Sequence, residues 1–223
     1  MFYRLLFVGC IAAAVGLMPG LSPLATAAAA STHSDTRPVI VAFGDSLSAG
    51  YGAEPGKSFP DFLQKDLNAA GLHWRVLNAG VSGNTTTDGL DRIQEVLARK
   101  PRITILEFGG NDGLRGLPLT TTRENLAQMI QTLEAGGSKV LIAGMTLPPN
   151  YGGEYITKFG QIYVDLAKKY NVPRIPFLLS DVVFRPGMMQ QDGIHPTAQG
   201  NQIVAQTVMR YLKPMLLRLS AKR

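Results

Sequence analysis

The sequence predicts an α/β fold in which helices cover both faces of a parallel β-sheet. Five short apolar runs typical of strands alternate with five longer segments of helical spacing, which is the pattern of βαβ units. The first run is apolar at every position, as expected of a parallel strand that is buried on both faces. No change of composition interrupts residues 38–219, so we interpret them as a single domain.

The predicted strands and helices follow one another in regular order along the chain. The strands are Val39–Phe43, Trp74–Asn78, Ile103–Phe108, Lys139–Met145 and Arg174–Leu178. The helices are Ser58–Ala70, Thr86–Lys100, Thr121–Ala135, Glu154–Tyr170 and Thr197–Leu219. Within the first helix, Phe62, Leu63 and Leu67 fall on one face, which is typical of a helix with one buried side.

Residues 1–30 have the layout of a secretory signal peptide. Arg4 supplies a positive charge, an apolar stretch runs from residue 5 to about residue 21, and small residues at 25–30 offer cleavage sites. A retained membrane anchor is the alternative, but glycines and a proline inside the apolar stretch favour cleavage. Cleavage would leave an exported chain that begins with the polar segment 31–37 and has no stable membrane insertion.

Cysteine usage and charge exclude several classes of protein. Cys10 is the single cysteine and lies in the predicted leader, so the cleaved chain has no disulfide, thiolate metal site or cysteine nucleophile. Phe7 stands where a lipoprotein signal has an aliphatic residue, which argues against lipidation of Cys10. The formal charge is +6, but the basic residues are scattered apart from Lys168-Lys169 and the tail around 220–223. We therefore expect no nucleic-acid partner.

Four loops rich in glycine and polar residues adjoin the predicted strands and the last helix. They are Gly44-Asp45-Ser46, Asn78–Thr85, Gly109–Gly113 and Asp192–Pro196. We expect these loops to converge at the edge where the parallel strands end, because open α/β sheets bind ligands there. Gly44 would let the chain turn sharply after the first strand.

A serine hydroxyl becomes a nucleophile only beside a base, and that base needs an orienting partner. Among the three histidines, His195 lies in a loop bounded by glycine and proline at the same edge. Asp192 precedes it by three residues, so a short turn can bring the carboxylate to Nδ1 while Nε2 faces Ser46. A metal half-site or a helix cap is the alternative for this Asp-x-x-His pair. No further ligand has metal spacing, so we expect no metal.

Two other loops contain groups that can donate hydrogen bonds to an oxyanion. Gly83 offers a backbone N–H that a substrate can approach closely, and Asn111 offers a side-chain amide. Each loop taken singly is equally typical of a tight turn.

Taken together and in order, four blocks resemble the SGNH (GDSL) hydrolase superfamily. The blocks are Gly44-Asp45-Ser46-Leu47, Gly83, Gly109-x-Asn111-Asp112 and Asp192-x-x-His195, and the resemblance covers about 38–217. It implies a flavodoxin-like three-layer α/β/α sandwich with a five-stranded parallel sheet and no cofactor. It also implies that Ser46 is the nucleophile, His195 the base and then the acid, and Asp192 its orienting partner. The backbone amides of Ser46 and Gly83 and the Asn111 side chain would form the oxyanion hole.

Longer motifs resemble one branch of that superfamily, the periplasmic acyl-CoA thioesterases, lysophospholipases and arylesterases. They are residues 44–51, 109–116, 147–152 and 191–196. This resemblance implies a monomeric periplasmic serine esterase whose partners are small acyl esters, thioesters or lysophospholipids. The chain departs from the branch at Phe43 and Phe108, where aliphatic residues are expected, and at Asn84, where aspartate is expected. We expect the phenylalanines to alter packing beneath the site, and Asn84 to alter a contact behind it.

Several residues near these motifs are candidates for binding substrate. They are Asp45, Leu114, Leu147, Pro148 and Ile194, and ordinary core or loop packing is the alternative for the apolar ones. Two other functions stay open on this scaffold, a glycan O-deacetylase and a catalytically silent protein that binds lipid or glycan. The segment Gly52–Ser58 does not fit a P-loop, because no pair of its glycines has the required spacing.

Overall fold

The computed structural model describes residues 35–220. The predicted signal peptide, residues 31–34 of the polar segment and the last three residues of the basic tail lie outside the described residues. By its contacts the chain divides into two units, and the second, Thr36–Arg223, contains the whole predicted domain 38–219.

The fold is organised on a sheet of five parallel strands in the order β2-β1-β3-β4-β5. The strands are β1 (Val39–Gly44), β2 (Arg75–Gly80), β3 (Ile103–Glu107), β4 (Lys139–Ala143) and β5 (Arg174–Ile175). The predicted α/β class and parallel sheet are thus confirmed. β5 is shorter than expected because Pro173 and Pro176 flank it, and proline has no N–H to donate to a neighbouring strand.

Helices cover both faces of this sheet. They are α1 (Ser46–Ala49), α2 (Phe59–Ala69), α3 (Thr86–Asp91), α4 (Ile93–Leu97), α5 (Gly110–Leu114), α6 (Leu119–Ala135), α7 (Gly153–Tyr170) and α8 (Ala198–Ser220), with a 3₁₀ turn at Pro149–Tyr151. α2 and α8 pack together on one face, and α3, α4 and α7 contact α6 on the other. The three-layer α/β/α sandwich is therefore confirmed. Between residues 35 and 220, no helix combines the length and apolar character needed to cross a membrane.

The helices differ from the predicted ones at places that matter for the site. The single helix expected over Thr86–Lys100 is two helices, because Arg92 leaves helical geometry (φ −106°, ψ 13°) between α3 and α4. α1 and α5 were not expected, since their glycine-rich and polar sequences are typical of turns. Each of them follows a neighbouring strand, β1 or β3, at the point where the chain reverses its direction across the sheet. Ligands bind at this kind of switch point in open α/β sheets.

The strands that lead to the site lie in the centre of the core. Residues 40–43 of β1 and 103–107 of β3 are fully buried. For β1, this burial is what its continuous apolar run predicts. The helices after two of the loops begin at capping boxes, with Ser58 and Asp61 for α2 and Thr85 and Asp88 for α3. Capping boxes satisfy the free N–H groups of a first helical turn, and so they fix where each loop ends.

Candidate active site

Three side chains form a continuous chain of hydrogen bonds at the carboxyl edge of the sheet. His195 Nε2 lies 2.8 Å from Ser46 Oγ, and His195 Nδ1 lies 2.7 Å from Asp192 Oδ2. With the Nδ1 proton donated to Asp192, Nε2 is left to accept the serine proton. The structure thus brings Ser46, His195 and Asp192 together, although 149 residues separate the serine from the histidine.

The Asp192 carboxylate is held in place by its own loop. Its Oδ1 atom accepts the backbone N–H groups of Ile194 and His195, each at 3.0 Å. Burial raises the pKa of Asp192, but the hydrogen bonds from the His195 side chain and from these N–H groups outweigh it and hold that pKa below its usual value. Asp192 therefore stays charged and orients the imidazole. Within residues 35–220, no group of three or more potential ligands is arranged to hold a metal ion.

Gln190 joins the histidine loop to the serine turn, and sequence reasoning missed it. Its side-chain amide donates to the Tyr51 carbonyl at 2.7 Å and to the Pro196 carbonyl at 2.9 Å, and its backbone N–H donates to the backbone carbonyl of His195 at 2.8 Å. The Tyr51 ring lies 4.7 Å from the imidazole, centre to centre. Its place directly before the 191–196 motif is the one sequence signal that could have identified Gln190.

The turn that presents Ser46 depends on close packing around Gly44. A Cβ atom at this position would lie 2.2 Å from Glu107 Oε2 and 2.4 Å from Ser48 Oγ. Gly44 is therefore required because a side chain has no space there. Its backbone is not left-handed, as a sharp turn would have implied. Asp45 caps α1, since its Oδ1 accepts the Leu47 N–H at 3.0 Å, and this leaves Ser46 as the first residue of the helix.

The two predicted oxyanion-hole loops lie beside the serine. Gly83 has a left-handed backbone (φ 83°), and its carbonyl accepts a hydrogen bond from the Arg115 guanidinium at 2.9 Å. The Asn111 amide nitrogen donates to Asp45 Oδ2 at 3.1 Å and to the Asn84 carbonyl at 2.9 Å. Both amide hydrogens thus have acceptors in the protein, so an oxyanion would have to share or replace one of them.

Arg92 contacts all three residues that depart from the expected family pattern. Its guanidinium lies 4.7 Å from the centre of the Phe43 ring and 5.5 Å from that of Phe108, and Nε donates to Asn84 Oδ1 at 2.7 Å. The two rings meet edge to face at 4.8 Å. Arg92 also donates to the carbonyls of Ala79 and Gly44, each at 2.8 Å. One arginine, which we had assigned to the middle of a helix, therefore connects the serine and Gly83 loops from below.

The reactive groups open into a cavity of about 710 Å³, within the range of pockets for small organic ligands. Its walls include Ser46, Gly83, Asn111 and His195, together with all five predicted substrate residues, Asp45, Leu114, Leu147, Pro148 and Ile194. Asp192 lies behind the histidine. The lining also includes apolar residues that were not among the predicted substrate residues: Met145, Ile156, Phe177, Leu179, Val183 and Phe184. Met145 and Phe177 fall at the ends of predicted strands and Ile156 in a predicted helix, so their sequence positions are equally typical of core residues.

Comparison with known proteins gives the family. The model of the GDSL-like lipase/acylhydrolase family matches residues 42–203, a segment that contains every residue of the hydrogen-bonded chain. The chain belongs to this family. The predictions of an SGNH (GDSL) hydrolase and of an enzyme are therefore confirmed.

Relatives of this GDSL-like acylhydrolase are named as esterases and thioesterases. It is 40% identical to the esterase TesA of Pseudomonas aeruginosa over 83% of this chain and 92% of the relative. It is 37% identical to thioesterase 1/protease 1/lysophospholipase L1 of Escherichia coli K12, over 79% of this chain and 84% of the relative. A crystal structure of TesA superposes with a TM-score of 0.76 at 41% identity, covering 79% of this chain and 98% of the other.

Proposed function

We propose that this hydrolase is an exported serine esterase that cleaves acyl esters and thioesters of small molecules through an acyl-Ser46 intermediate. One observation carries the proposal: the chain of hydrogen bonds from Asp192 through His195 to Ser46 opens into a cavity with a largely apolar lining. The names of the relatives, an esterase and a thioesterase/lysophospholipase, support the same two bond types.

The geometry accounts for both halves of the reaction. In acylation, His195 Nε2 takes the Ser46 proton as Oγ attacks the carbonyl carbon, and the protonated imidazole then gives that proton to the leaving alcohol or thiol. In deacylation, water attacks the acyl-serine, its proton passes to His195, and Ser46 recovers it as the acid leaves. The negative oxygen formed in each half would be held by the N–H groups of Ser46 and Gly83 and by the Asn111 amide.

The cavity favours acyl chains longer than acetyl. An acetyl group would fill only a small part of about 710 Å³, whereas Leu147, Phe177 and Leu179 offer apolar contacts to a longer chain. This argues against the glycan O-deacetylase. The hydrogen-bonded base beside Ser46 argues against the silent binding protein, because a groove alone needs no such arrangement.

The proposal that this protein is exported rests on the sequence of residues 1–30. The charged start, the apolar stretch and the small residues of the predicted leader support removal of residues 1–30 and a periplasmic location. Sequencing the amino terminus of the protein recovered from the periplasm tests this proposal. A terminus at Met1, or recovery from the cytoplasm alone, would contradict it.

The test of function is hydrolysis of nitrophenyl esters from acetate to decanoate, with Ser46→Ala as the blank. We expect a Ser46-dependent rate that is highest on medium or long chains, and labelling by a fluorophosphonate that the variant loses. Ser180→Ala is the matched control, because Ser180 is exposed and does not line the cavity. Activity on acetate alone would favour the deacetylase, and activity that survives Ser46→Ala would contradict the proposal.

A further inference from the structure

A second carboxyl group, which the reaction does not use, lies directly beneath the serine turn. Glu107 ends β3 and is fully buried. Its Oε2 atom accepts three hydrogen bonds, from the N–H groups of Asp45 and Ser48 at 3.1 Å each and from the Ser48 hydroxyl at 2.7 Å. Its Oε1 atom is also buried but receives no donor from any group in residues 35–220. An orphaned oxygen in such a site calls for a chemical explanation.

Asp45 offers that explanation, because its backbone N–H donates to Glu107 Oε2 at 3.1 Å, so its own buried carboxyl group lies beside that of Glu107. Asp45 is 2% exposed, so the two groups form a buried pair. Two carboxylates in contact cannot both stay charged in a buried site, and such pairs retain one proton. Burial, and then the charge of Asp45, raise the pKa of Glu107 well above its ordinary value.

Donors are distributed unequally over the four carboxyl oxygens of this pair. Both Asp45 oxygens accept N–H groups, Oδ1 from Leu47 and Oδ2 from Asn111, as a charged carboxylate does. Glu107 has one oxygen that accepts three donors and one that accepts none. This asymmetry is that of a neutral carboxylic acid, which has one accepting oxygen and one O–H group.

We propose that Glu107 is a positioning residue, a neutral acid whose Oε1–H donates to the Asp45 carboxylate and thereby fixes Asp45 where it holds the Asn111 amide. The proposal rests on the proposed function, in which Asn111 donates to the oxyanion. It gives Glu107 a role in orienting the oxyanion hole without contact with substrate. Loss of the shared proton would set two negative charges against each other directly beneath the Asn111 amide.

Few other charges act on this pair. Burial raises the pKa of Asp45, and the hydrogen bond from the Leu47 N–H and the nearby His195, on the cavity side, only partly oppose that rise. From α7, Tyr163 donates its hydroxyl to the Phe108 carbonyl at 2.9 Å; burial and the carboxyl groups of Asp112, Glu107 and Asp45 raise its pKa well above the usual value. Arg92 contacts the nearby Gly44 carbonyl and neither carboxyl group. Tyr163 is therefore neutral at neutral pH.

Two substitutions of Glu107 test the proposal kinetically. Glu107→Gln keeps an accepting oxygen and a donor toward Asp45. Its kcat should therefore stay within about tenfold of the parent, which is the effect expected from weakening a single hydrogen bond. Glu107→Ala removes both and should lower kcat on the order of 10²-fold, as a displaced catalytic group does, with little change in KM. Thr104→Val is the matched control, since Thr104 is buried in the same strand and hydrogen-bonds only Ser138 at 2.9 Å. It should lower stability and leave kcat unchanged.

The pH profile and infrared spectrum separate a shared proton from simple packing. The parent should lose kcat on the alkaline side as the pair gives up its proton, and Glu107→Gln should keep its activity to higher pH. The infrared spectrum of the parent should show the carbonyl stretch of a buried protonated acid, and this band should be absent from Glu107→Gln. The spectrum needs no catalysis, so it also tests the proton if Glu107→Ala fails to fold.

The possible failures can be told apart. If Ser46→Ala keeps full activity, the proposed function is wrong whatever the spectrum shows. If Ser46→Ala is inactive but Glu107→Gln loses as much kcat as Glu107→Ala, or the acid band is missing from the parent, the role of Glu107 is overturned and the proposed function stands. An alkaline limb that is identical in the parent and in Glu107→Gln would also overturn it.

Discussion

Replacing Asn111 by alanine tests whether its side-chain amide donates a hydrogen bond to the oxyanion. The amide is one of three expected donors to the oxyanion, and removal of one such donor lowers kcat by about 10²–10³-fold. Asn111 also donates to Asp45 Oδ2 and to the Asn84 carbonyl, so its truncation leaves a 2%-exposed carboxylate without one of its donors. We therefore expect a loss toward the upper end of that range.

The loss should fall on kcat and leave KM nearly unchanged, because the oxyanion exists only after Ser46 has attacked. Steady-state hydrolysis of nitrophenyl butyrate and decanoate gives both constants. Asn125→Ala is the matched control, since the Asn125 amide also makes two hydrogen bonds, to the hydroxyls of Thr86 and Thr87, but lies outside the cavity. A loss in Asn111→Ala of less than tenfold, or one carried by KM, would refute the oxyanion assignment.

Three further expectations follow from the same structure. Activity should fall on acidification as His195 gains the proton that stops it from acting as a base, while Asp192, whose pKa lies below the usual value, stays charged until lower pH. Phe184→Ala should lower kcat/KM for decanoate by about tenfold and hardly change it for acetate, because this 92%-exposed ring at the cavity wall gains apolar contact only with a long chain. Gly89→Ala should lower the free energy of unfolding by about 1–3 kcal/mol, because its Cβ would lie 2.7 Å from the Phe108 ring.

Each of these has its own control and its own refutation. An acid limb unchanged in the residual activity of His195→Ala would remove that histidine as the titrating base. Leu217→Ala, at a 53%-exposed position on α8 away from the cavity, controls for loss of an exposed apolar side chain. Equal effects of Phe184→Ala on acetate and decanoate would contradict a role in chain binding. Gly160→Ala, where the new Cβ meets nothing within 4 Å, controls Gly89→Ala in urea unfolding.

The sequence was sufficient for the residues whose chemistry is visible in short motifs. Ser46, Asn111 and His195 stand in glycine-rich loops next to apolar strands, and the parallel sheet leaves those loops only one edge at which to meet. The strands could be predicted because β1 and β3 are buried on both faces. The prediction of one continuous helix over Thr86–Lys100 was wrong. The chain leaves helical geometry at Arg92, whose side chain donates to carbonyls that are distant in sequence.

What escaped prediction is what depends on contacts between distant segments. Glu107 ends an apolar strand, and its burial against Asp45 becomes visible only when the two strands are side by side. Gln190 looks like any polar loop residue until its amide is seen to reach Tyr51, 139 positions earlier. Phe184 follows two valines in the sequence and resembles a core residue there. Its side chain is instead 92% exposed and lines the cavity.

The contacts of Arg92 have a consequence for how this enzyme can change. Phe43, Phe108 and Asn84 lie far apart in sequence, yet each touches the same guanidinium. Restoring the aliphatic residues or the aspartate one at a time would alter the packing or charge around a cation that the other two positions still fit. We therefore expect substitutions at these three positions to be non-additive, so that the effect of changing any one of them depends on the other two.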